Sequence, residues 1–317
     1  MVTRCVLVER LDLEDVVRSR GIDLFKTFAV YNYGYWFDGY RCYVHIDGVT
    51  IVGTLDARFA VYDCGSLTHD PDRLVRYVFG LDEDTTPFLR IAEEDPLLRL
   101  FAREFAGWRL RSSSLWWSLV VGICQQNASF RQGWKMLHSI VKIYARSIEV
   151  EGRKIPIAPS PRDVVEKPHL LAEARVGYRA RTIEGIAKAF TEGLLDPIEL
   201  SRKPYEEIET VLQSLRGVGS YTARLAIALS FRKYGRAPID RWLRRIASRI
   251  YGIDEKNVDT FWHQRWGSWS ALASIAVTIT LDAEPLSRAL ERIERGELLP
   301  KENVVPSPYT MWRYDWG

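Results

Sequence analysis

The densest chemical signal in this 317-residue chain is Leu215-Arg216-Gly217-Val218-Gly219-Ser220-Tyr221-Thr222-Ala223. An amphipathic segment over 205–215, with Ile208, Val211, Leu212 and Leu215 at i, i+3, i+4 and i+7, runs into Gly-Val-Gly, and an apolar helix is expected to begin near Thr222. Two glycines one residue apart allow a tight turn and the close approach of another backbone. The helix N-terminus that follows points free N–H groups outward, a geometry that suits a phosphate. An ordinary helix–helix turn is the competing reading of a lone Gly-x-Gly. Nineteen residues after Tyr221 stands Asp240, in Pro238-Ile239-Asp240, opening a segment that holds Arg241, Arg244, Arg245 and Arg249. Asp is a favoured helix cap, and Pro before a helix start is routine. A carboxylate at the mouth of a basic cleft can also stabilise positive charge developing on a sugar, or activate a water. Taken with the hairpin before it, Asp240 favours the chemical role.

The elements that must position these residues read as an α+β fold: a small N-terminal antiparallel β domain followed by a two-part all-α body. The expected divisions are a β-rich region over 1–86, a helical region over 87–299 with the helix–hairpin–helix at 205–232, and an aromatic tail over 300–317. In the first region Val30, Tyr31, Tyr33, Tyr35, Trp36 and Phe37 read as an aromatic strand, followed by Asp38-Gly39, a strand over 40–46, Asp47-Gly48 and a strand over 49–55. Asp-Gly between strand-like runs is a strong hairpin signal, and two in succession predict a meander. From about Asp70 the pattern is helical to about residue 296, interrupted by a proline-rich connector over 156–168. Tyr309, Trp312, Tyr314 and Trp316 make the tail too aromatic for a free end, so it is expected to dock on the body.

Composition narrows the class. With 47% hydrophobic and 27% charged residues the chain is globular, not extensively disordered. Its apolar runs, such as 115–124 and 225–229, are too short to cross a bilayer, and no signal segment opens it, so no membrane partner is expected. The four cysteines, Cys5, Cys42, Cys64 and Cys124, lack the spacings of a zinc site or an iron–sulfur cluster and read as reduced and packed, in a cytoplasmic protein. The net charge of +3 conceals a segregation: residues 1–100 carry 11 basic against 17 acidic side chains, whereas 201–250 carry 11 against 4. The second half therefore offers a basic surface. Of the 44 basic residues 34 are arginines, which suit phosphates and bases, although a thermophilic or GC-rich source produces the same bias.

Leu-x-Gly-Val-Gly-x-x-Thr-Ala followed by Pro-Ile-Asp resembles the helix–hairpin–helix motif and catalytic aspartate of the base-excision DNA glycosylase superfamily. Ile123-Cys124-Gln125-Gln126-Asn127 resembles its loop that enters the minor groove. Gly177-Tyr178-Arg179-Ala180-Arg181 and Trp266-Gly267-Ser268-Trp269 look like segments of the 8-oxoguanine glycosylase branch, and Phe79-Gly80-Leu81-Asp82 sits where that branch leaves its β domain. The match spans roughly residues 25–285. It implies an enzyme that rotates a damaged nucleotide out of duplex DNA, because the glycosidic carbon is inaccessible in the stack. Gly217 and Gly219 would then hold phosphates through backbone N–H groups, with Arg241 and Gln126 also on the DNA. Asn127 and Tyr178 would fill the vacated space, and Arg179 would hydrogen-bond the orphaned base. The resemblance further implies a monovalent cation, Na or K, on the carbonyls of Gln213, Leu215 and Val218, with no other cofactor and no iron–sulfur cluster. The expected partner is double-stranded DNA containing a damaged base, bound by a monomer.

One departure bears on the chemistry. Bifunctional members carry a lysine two residues after the Gly-x-Gly turn, whose amine forms a Schiff base with the sugar. Here that position is Tyr221, and no lysine lies between Lys203 and Lys233. The expected enzyme is a monofunctional hydrolase with Asp240 catalytic. The 3-methyladenine glycosylase branch also has an aromatic residue there. Tyr221 and Trp269, with aromatics of the first domain, would attract a cationic alkylated purine such as 3-methyladenine or 7-methylguanine. The base-stacking Phe and base-reading Gln of the 8-oxoguanine branch align with Thr278 and Ser274, which completes the expected base pocket. Alternatives are an 8-oxoguanine glycosylase, with lyase activity from Lys135, Lys188 or Lys233, and a non-catalytic protein that binds damaged DNA.

Overall fold

The computed structural model describes residues 2–65 and 67–317. Seven strands form two sheets: β1 Val2–Arg4, β2 Val6–Asp12, β3 Arg41–Ile46, β4 Val49–Thr54, β5 Arg58–Asp63, β6 Ser147–Val150 and β7 Arg153–Pro156. The larger sheet is antiparallel in the order β2-β5-β4-β3. Asp47-Gly48 joins β3 to β4 with Ile46 opposite Val49, as the hairpin signal predicts. One face of this sheet (Val44, Ile51, Phe59, Val61) packs on the main core, and the other (Tyr43, Val52, Ala60, Tyr62) packs on Ile148, Val150, Ile155 and Ile157. With both faces covered, the central strands lose the clean apolar–polar alternation of a one-sided sheet.

Three readings of the sequence need correcting here. The aromatic run over 30–37 is not a strand; among the described residues its ladder contact is an isolated bridge from Phe37 to Cys42. It follows the helix Leu24–Ala29 and turns through Tyr31 at φ 53°, because its rings serve as packing between segments. The Tyr33 hydroxyl donates to the Trp134 carbonyl at 2.9 Å, and Tyr33 meets Trp316 edge-on at 5.5 Å. The helical stretch after residue 70 is interrupted by the β6–β7 hairpin, which pairs with β1 in the parallel sense to make the second sheet, β1-β6-β7. Finally, the cysteines are not all reduced. The β2–β5 register places Val6 opposite Asp63, so Cys5 and Cys64 fall side by side, with Cα atoms 4.3 Å apart, and form a disulfide. Cys42 and Cys124 are free and buried.

The helices divide between two cores. The first gathers the inner face of the sheet with Phe79, Ile246, Trp262 and Trp266. The second gathers the helix Leu115–Gln125 with Leu137, Ile183 and Leu212. The helix Ser220–Phe231 crosses between them, giving Ala223, Ala226 and Ile227 to the second core and Ala228 to the first. It lies directly on the helix Leu115–Gln125: a Cβ added at Gly122 would come within 2.8 Å of the Thr222 methyl carbon. The tail returns to the first region, where the Tyr31 N–H donates to the Pro308 carbonyl at 2.8 Å and Trp312 packs edge-on to Phe25 and Phe37. Among the described residues no helix is long and apolar enough to cross a membrane.

The disulfide closes a loop of 59 residues. Chain-entropy arguments put its contribution at no more than about 4 kcal/mol. Dithiothreitol, or the substitution Cys64→Ser, should lower the melting temperature by several degrees, read by circular dichroism; an unchanged midpoint would show that the register alone holds these strands.

Candidate active site

The helix Tyr205–Gln213 ends at Ser214, the chain turns through Gly217 at φ +85°, and the helix Ser220–Phe231 begins after Gly219. No side chain caps this second helix, so the N–H groups of its first turn are left for a ligand. The Val218 N–H donates to the Leu215 carbonyl at 3.0 Å, which closes the turn. Gly217 lies against Thr182, where an added Cβ would be 2.5 Å from Oγ1. Gln126, just past the helix Leu115–Gln125, donates from Nε2 to the Gly217 carbonyl at 3.1 Å and to Thr222 Oγ1 at 2.7 Å. The hairpin is thus tied to the Gln126-Asn127 loop.

The Tyr178 turn joins the same face. Arg179 is buried, and it donates from Nε to the Ile123 carbonyl at 3.1 Å and from Nη2 to the Gln126 carbonyl. Tyr178 lies over the Arg179 guanidinium at 4.6 Å and is 64% exposed. Asn127 is exposed in the left-handed region at φ 48°. Asn127, Tyr178, Gly217 and Gly219 therefore share one surface, with Arg179 beneath it bracing the loop rather than facing outward. The basic count of 201–250 is thinned by pairing: Arg224 binds Glu209 at 2.7 Å and Asp259 at 3.1 Å, Arg232 binds Glu83 at 2.7 Å, and Arg244 binds Asp259 at 2.6 Å. Arg216, Arg241, Arg245 and Arg249 stay exposed and take part in no salt bridge among the described residues.

Beside this surface opens a cavity of about 810 Å³. Tyr221, Leu225 and Leu229, at i, i+4 and i+8, form one wall, roughly 12 Å long at ~1.5 Å per residue. Ser274 and Thr278 line another from the helix Ser270–Thr280. Their hydroxyls are engaged with their own helix: Ser274 donates to the Ala271 carbonyl at 2.7 Å and Thr278 to the Ser274 carbonyl at 3.0 Å. A third wall is aromatic, with Tyr31 among the first-domain aromatics expected there and Phe130 and Trp134 not singled out from the sequence. Tyr31 stacks on Trp134 at 5.9 Å and 16°, and Phe130 is tilted against Trp134 at 6.1 Å. Phe130 and Trp134 are four apart in the helix that follows the Gln126-Asn127 loop, a spacing that could have marked them as one face. The Gln125 amide nitrogen, on the same cavity, is buried without a partner. Trp269 does not belong here. It stacks on Tyr234 at 6.0 Å and packs on Phe88, because its 3-10 turn aims the ring into the main core.

Asp240 lines the cavity yet remains exposed, which puts it at the opening. It also caps the helix Arg241–Tyr251, with Oδ1 accepting from the Leu243 N–H at 2.7 Å. Capping the helix and lining the cavity opening are thus compatible at this residue. The surrounding protein pushes its carboxyl above the ordinary range by desolvation, against the pull of the Leu243 and Trp242 N–H groups and the Arg244 charge. Burial, with smaller contributions from Asp240 and Tyr31, likewise raises the Tyr221 phenol, so it stays neutral at physiological pH. Among the described residues no lysine lines the cavity. Among the described residues no cluster of three or more His, Cys, Asp or Glu side chains could hold a metal ion.

No protein-family model matches the chain. A DNA-3-methyladenine glycosylase of Bacillus subtilis is 29% identical over 175 residues, covering 53% of this chain and 58% of that protein, so the match spans little more than half its length. Among solved structures, MBOgg1 in complex with a low affinity DNA ligand superposes with a TM-score of 0.68 at 22% identity, over 90% of this chain and 98% of that one. The apo form of a Clostridium acetobutylicum 8-oxoguanine glycosylase/lyase superposes with a TM-score of 0.63 at 18% identity, over 80% and 90% of the two chains. The chain has the fold of the helix–hairpin–helix glycosylases, and the resemblance carried by the hairpin and Pro-Ile-Asp is borne out.

Gly217→Ala should cost roughly 1–3 kcal/mol, since it strains a left-handed residue and drives a methyl group into Thr182. Denaturant unfolding with no loss of stability would mean that the turn relaxes freely.

Proposed function

We propose that this protein is a DNA glycosylase that flips a damaged purine out of the duplex into the aromatic cavity and hydrolyses its N-glycosidic bond. The observation that carries the reading is a carboxylate, Asp240, at the opening of a lysine-free aromatic cavity beside an uncapped hairpin helix. The free N–H groups after Gly217 and Gly219 bind phosphates next to the flipped nucleotide; the carbonyls of Gln213, Leu215 and Val218 would hold a monovalent cation, whose positive charge would add to the attraction for phosphate. Asn127 and Tyr178 enter the space the base leaves, Gln126 and Arg179 fix them, and Arg241 meets the backbone. The protein acts as a monomer on duplex DNA. As the bond from the sugar carbon to the base nitrogen lengthens, its electron pair leaves with the base and positive charge grows on the sugar. The Asp240 carboxylate stabilises that charge at short range in a site of low dielectric. A water adds to the sugar carbon, loses its proton toward Asp240, and leaves an abasic site with the strand intact.

Alkylated purines, 3-methyladenine and 7-methylguanine, suit the cavity best. They carry positive charge, and Tyr31, Phe130, Trp134 and Tyr221 offer ring faces that attract cations. Excision of 8-oxoguanine is the second reading, supported by the Gly177–Tyr178–Arg179 turn lying against the Gln126-Asn127 loop. Strand cleavage would need an amine within reach of the sugar. Lys135 and Lys188 are on exterior helix faces, Lys188 pairs with Glu184 at 2.7 Å, and Lys233 donates to the Lys203 carbonyl at 2.6 Å, which supports hydrolysis without lyase activity.

Asp240→Asn should abolish base release by at least about a hundredfold, while leaving binding to an abasic-site duplex largely intact. Equal loss of both would make Asp240 a cap alone. The acid limb of the wild-type rate should lie above the ordinary Asp value of about 3.9, since desolvation raises this carboxyl. A raised folded-state pKa contributes stability that is fully present below the unfolded value and is lost as pH climbs through the folded one. At pH 7 the ionised group therefore costs stability, and Asp240→Asn, which keeps a good cap, should melt no lower than wild type. Borohydride should trap no covalent protein–DNA adduct; a strong adduct would overturn the hydrolytic assignment.

A further inference from the structure

The cavity holds a cation that the proposed chemistry leaves unused. Arg111 lines it, and its guanidinium donates from Nε to the Thr27 carbonyl at 3.0 Å and from Nη2 to the carbonyls of Val30 at 2.8 Å and Tyr31 at 3.3 Å. Among the described residues no carboxylate pairs with it, and Nη1 makes no hydrogen bond. Arg111 is half-buried, whereas the better-shielded side chains of Arg232 and Arg292 each pair with a carboxylate at 2.7 Å. Desolvation pulls the Arg111 pKa down, yet a guanidinium stays protonated in proteins. A charge so placed, with donors still unfilled, is costly until an acceptor meets it.

Its position gives the acceptor an identity. The Ser113 N–H, two residues on, donates to the Leu229 carbonyl at 2.9 Å, which fixes this segment at the end of the Tyr221–Leu225–Leu229 wall remote from Tyr221. The Tyr31 carbonyl that Arg111 binds belongs to the residue whose ring stacks on Trp134. A base entering past Asp240 and lying against Tyr31 and Trp134 would therefore present its far edge to Arg111. Arginine has only donors. At position 6 a guanine-type edge offers the O6 acceptor, whereas an adenine-type edge offers an amino group there, itself a donor.

We propose that Arg111 reads the far edge of the flipped base and selects purines with a carbonyl at position 6 over purines with an amino group there. This rests on the reading that the cavity receives a flipped purine, and it makes 7-methylguanine a better substrate than 3-methyladenine at the binding step. An amino group against Arg111 leaves two donors facing each other, a mismatch on the order of 10- to 100-fold in discrimination.

The test compares wild type with Arg111→Met in two measurements. In the first, release of 7-methylguanine and of 3-methyladenine is followed in one methylated duplex, so that the ratio of the two rates is independent of how much enzyme is folded. Arg111→Met should cut 7-methylguanine release by about 10- to 100-fold and leave 3-methyladenine release within severalfold. A ratio unchanged from wild type would overturn the role of Arg111. In the second, the free bases 7-methylguanine and 3-methyladenine are titrated against the quenching of tryptophan fluorescence from the cavity. Wild type should bind 7-methylguanine more tightly and the variant should lose that preference; equal affinities in wild type would again overturn the proposal. If wild type releases neither base but binds 7-methylguanine through Arg111, the glycosylase reading fails and the assignment of Arg111 stands. Should Arg111→Met not fold, Arg111→Gln, which keeps a donor for the carbonyls, carries the same comparison.

Discussion

The contact between Gly122 and Thr222 is the constraint on which the site depends. Only a residue without a Cβ lets the helices Leu115–Gln125 and Ser220–Phe231 lie this close, and that closeness sets three positions at once. It brings Gln126 within reach of the Gly217 carbonyl and Thr222, so the loop and the hairpin behave as one body. It directs Tyr221, one residue before Thr222, to the cavity while Thr222 itself is buried between the helices. It also fixes the helix Ser220–Phe231 as the bridge between the two cores, so the cavity forms along its length at their seam. A larger residue at position 122 would part the helices and loosen all three.

Electrostatics then distinguish the parts of this seam. Hydrogen bonds from a helix N-terminus lower a carboxylate pKa, and removal from water raises it; at Asp240 removal from water prevails. The result is a base held nearer to neutrality than a surface aspartate, at the point where a polar surface meets an apolar cavity. Arg111 faces the opposite balance at the inner end, where three carbonyls hold it and no carboxylate neutralises it. On the outer surface the excess of basic residues over 201–250 narrows to a few unpaired arginines near the hairpin, because Arg224, Arg232 and Arg244 are engaged within the fold. A charge count taken from sequence measures supply, and pairing decides how much of it meets a ligand.

What the amino-acid sequence determined by itself was local. The Gly-Val-Gly turn, the helix that follows it, the Pro-Ile-Asp cap and the Asp47-Gly48 hairpin each arise from dihedral preferences and hydrogen bonds spanning a few residues, so their residue types suffice to announce them. The family resemblance assigns Tyr221 to a pocket, and that turn fixes its place on the cavity wall. Residue type along the chain does not determine a role that depends on what packs against the side chain. The aromatic run over 30–37 has the composition of a strand, but tertiary packing uses its rings to fill the space beside Trp134 and the tail. Trp269 has the chemistry of a base-stacking residue and spends it on Tyr234 and Phe88. Cys5 and Cys64 are 59 positions apart and adjacent only because β2 pairs with β5. The aromatic wall joins Tyr31 to a helix a hundred residues later, and Arg111 acquires its meaning from meeting three carbonyls and, among the described residues, no carboxylate. Turn geometry and capping are short-range and can be read along the chain; burial and pairing are sums over neighbours, and only the folded structure says which neighbours those are.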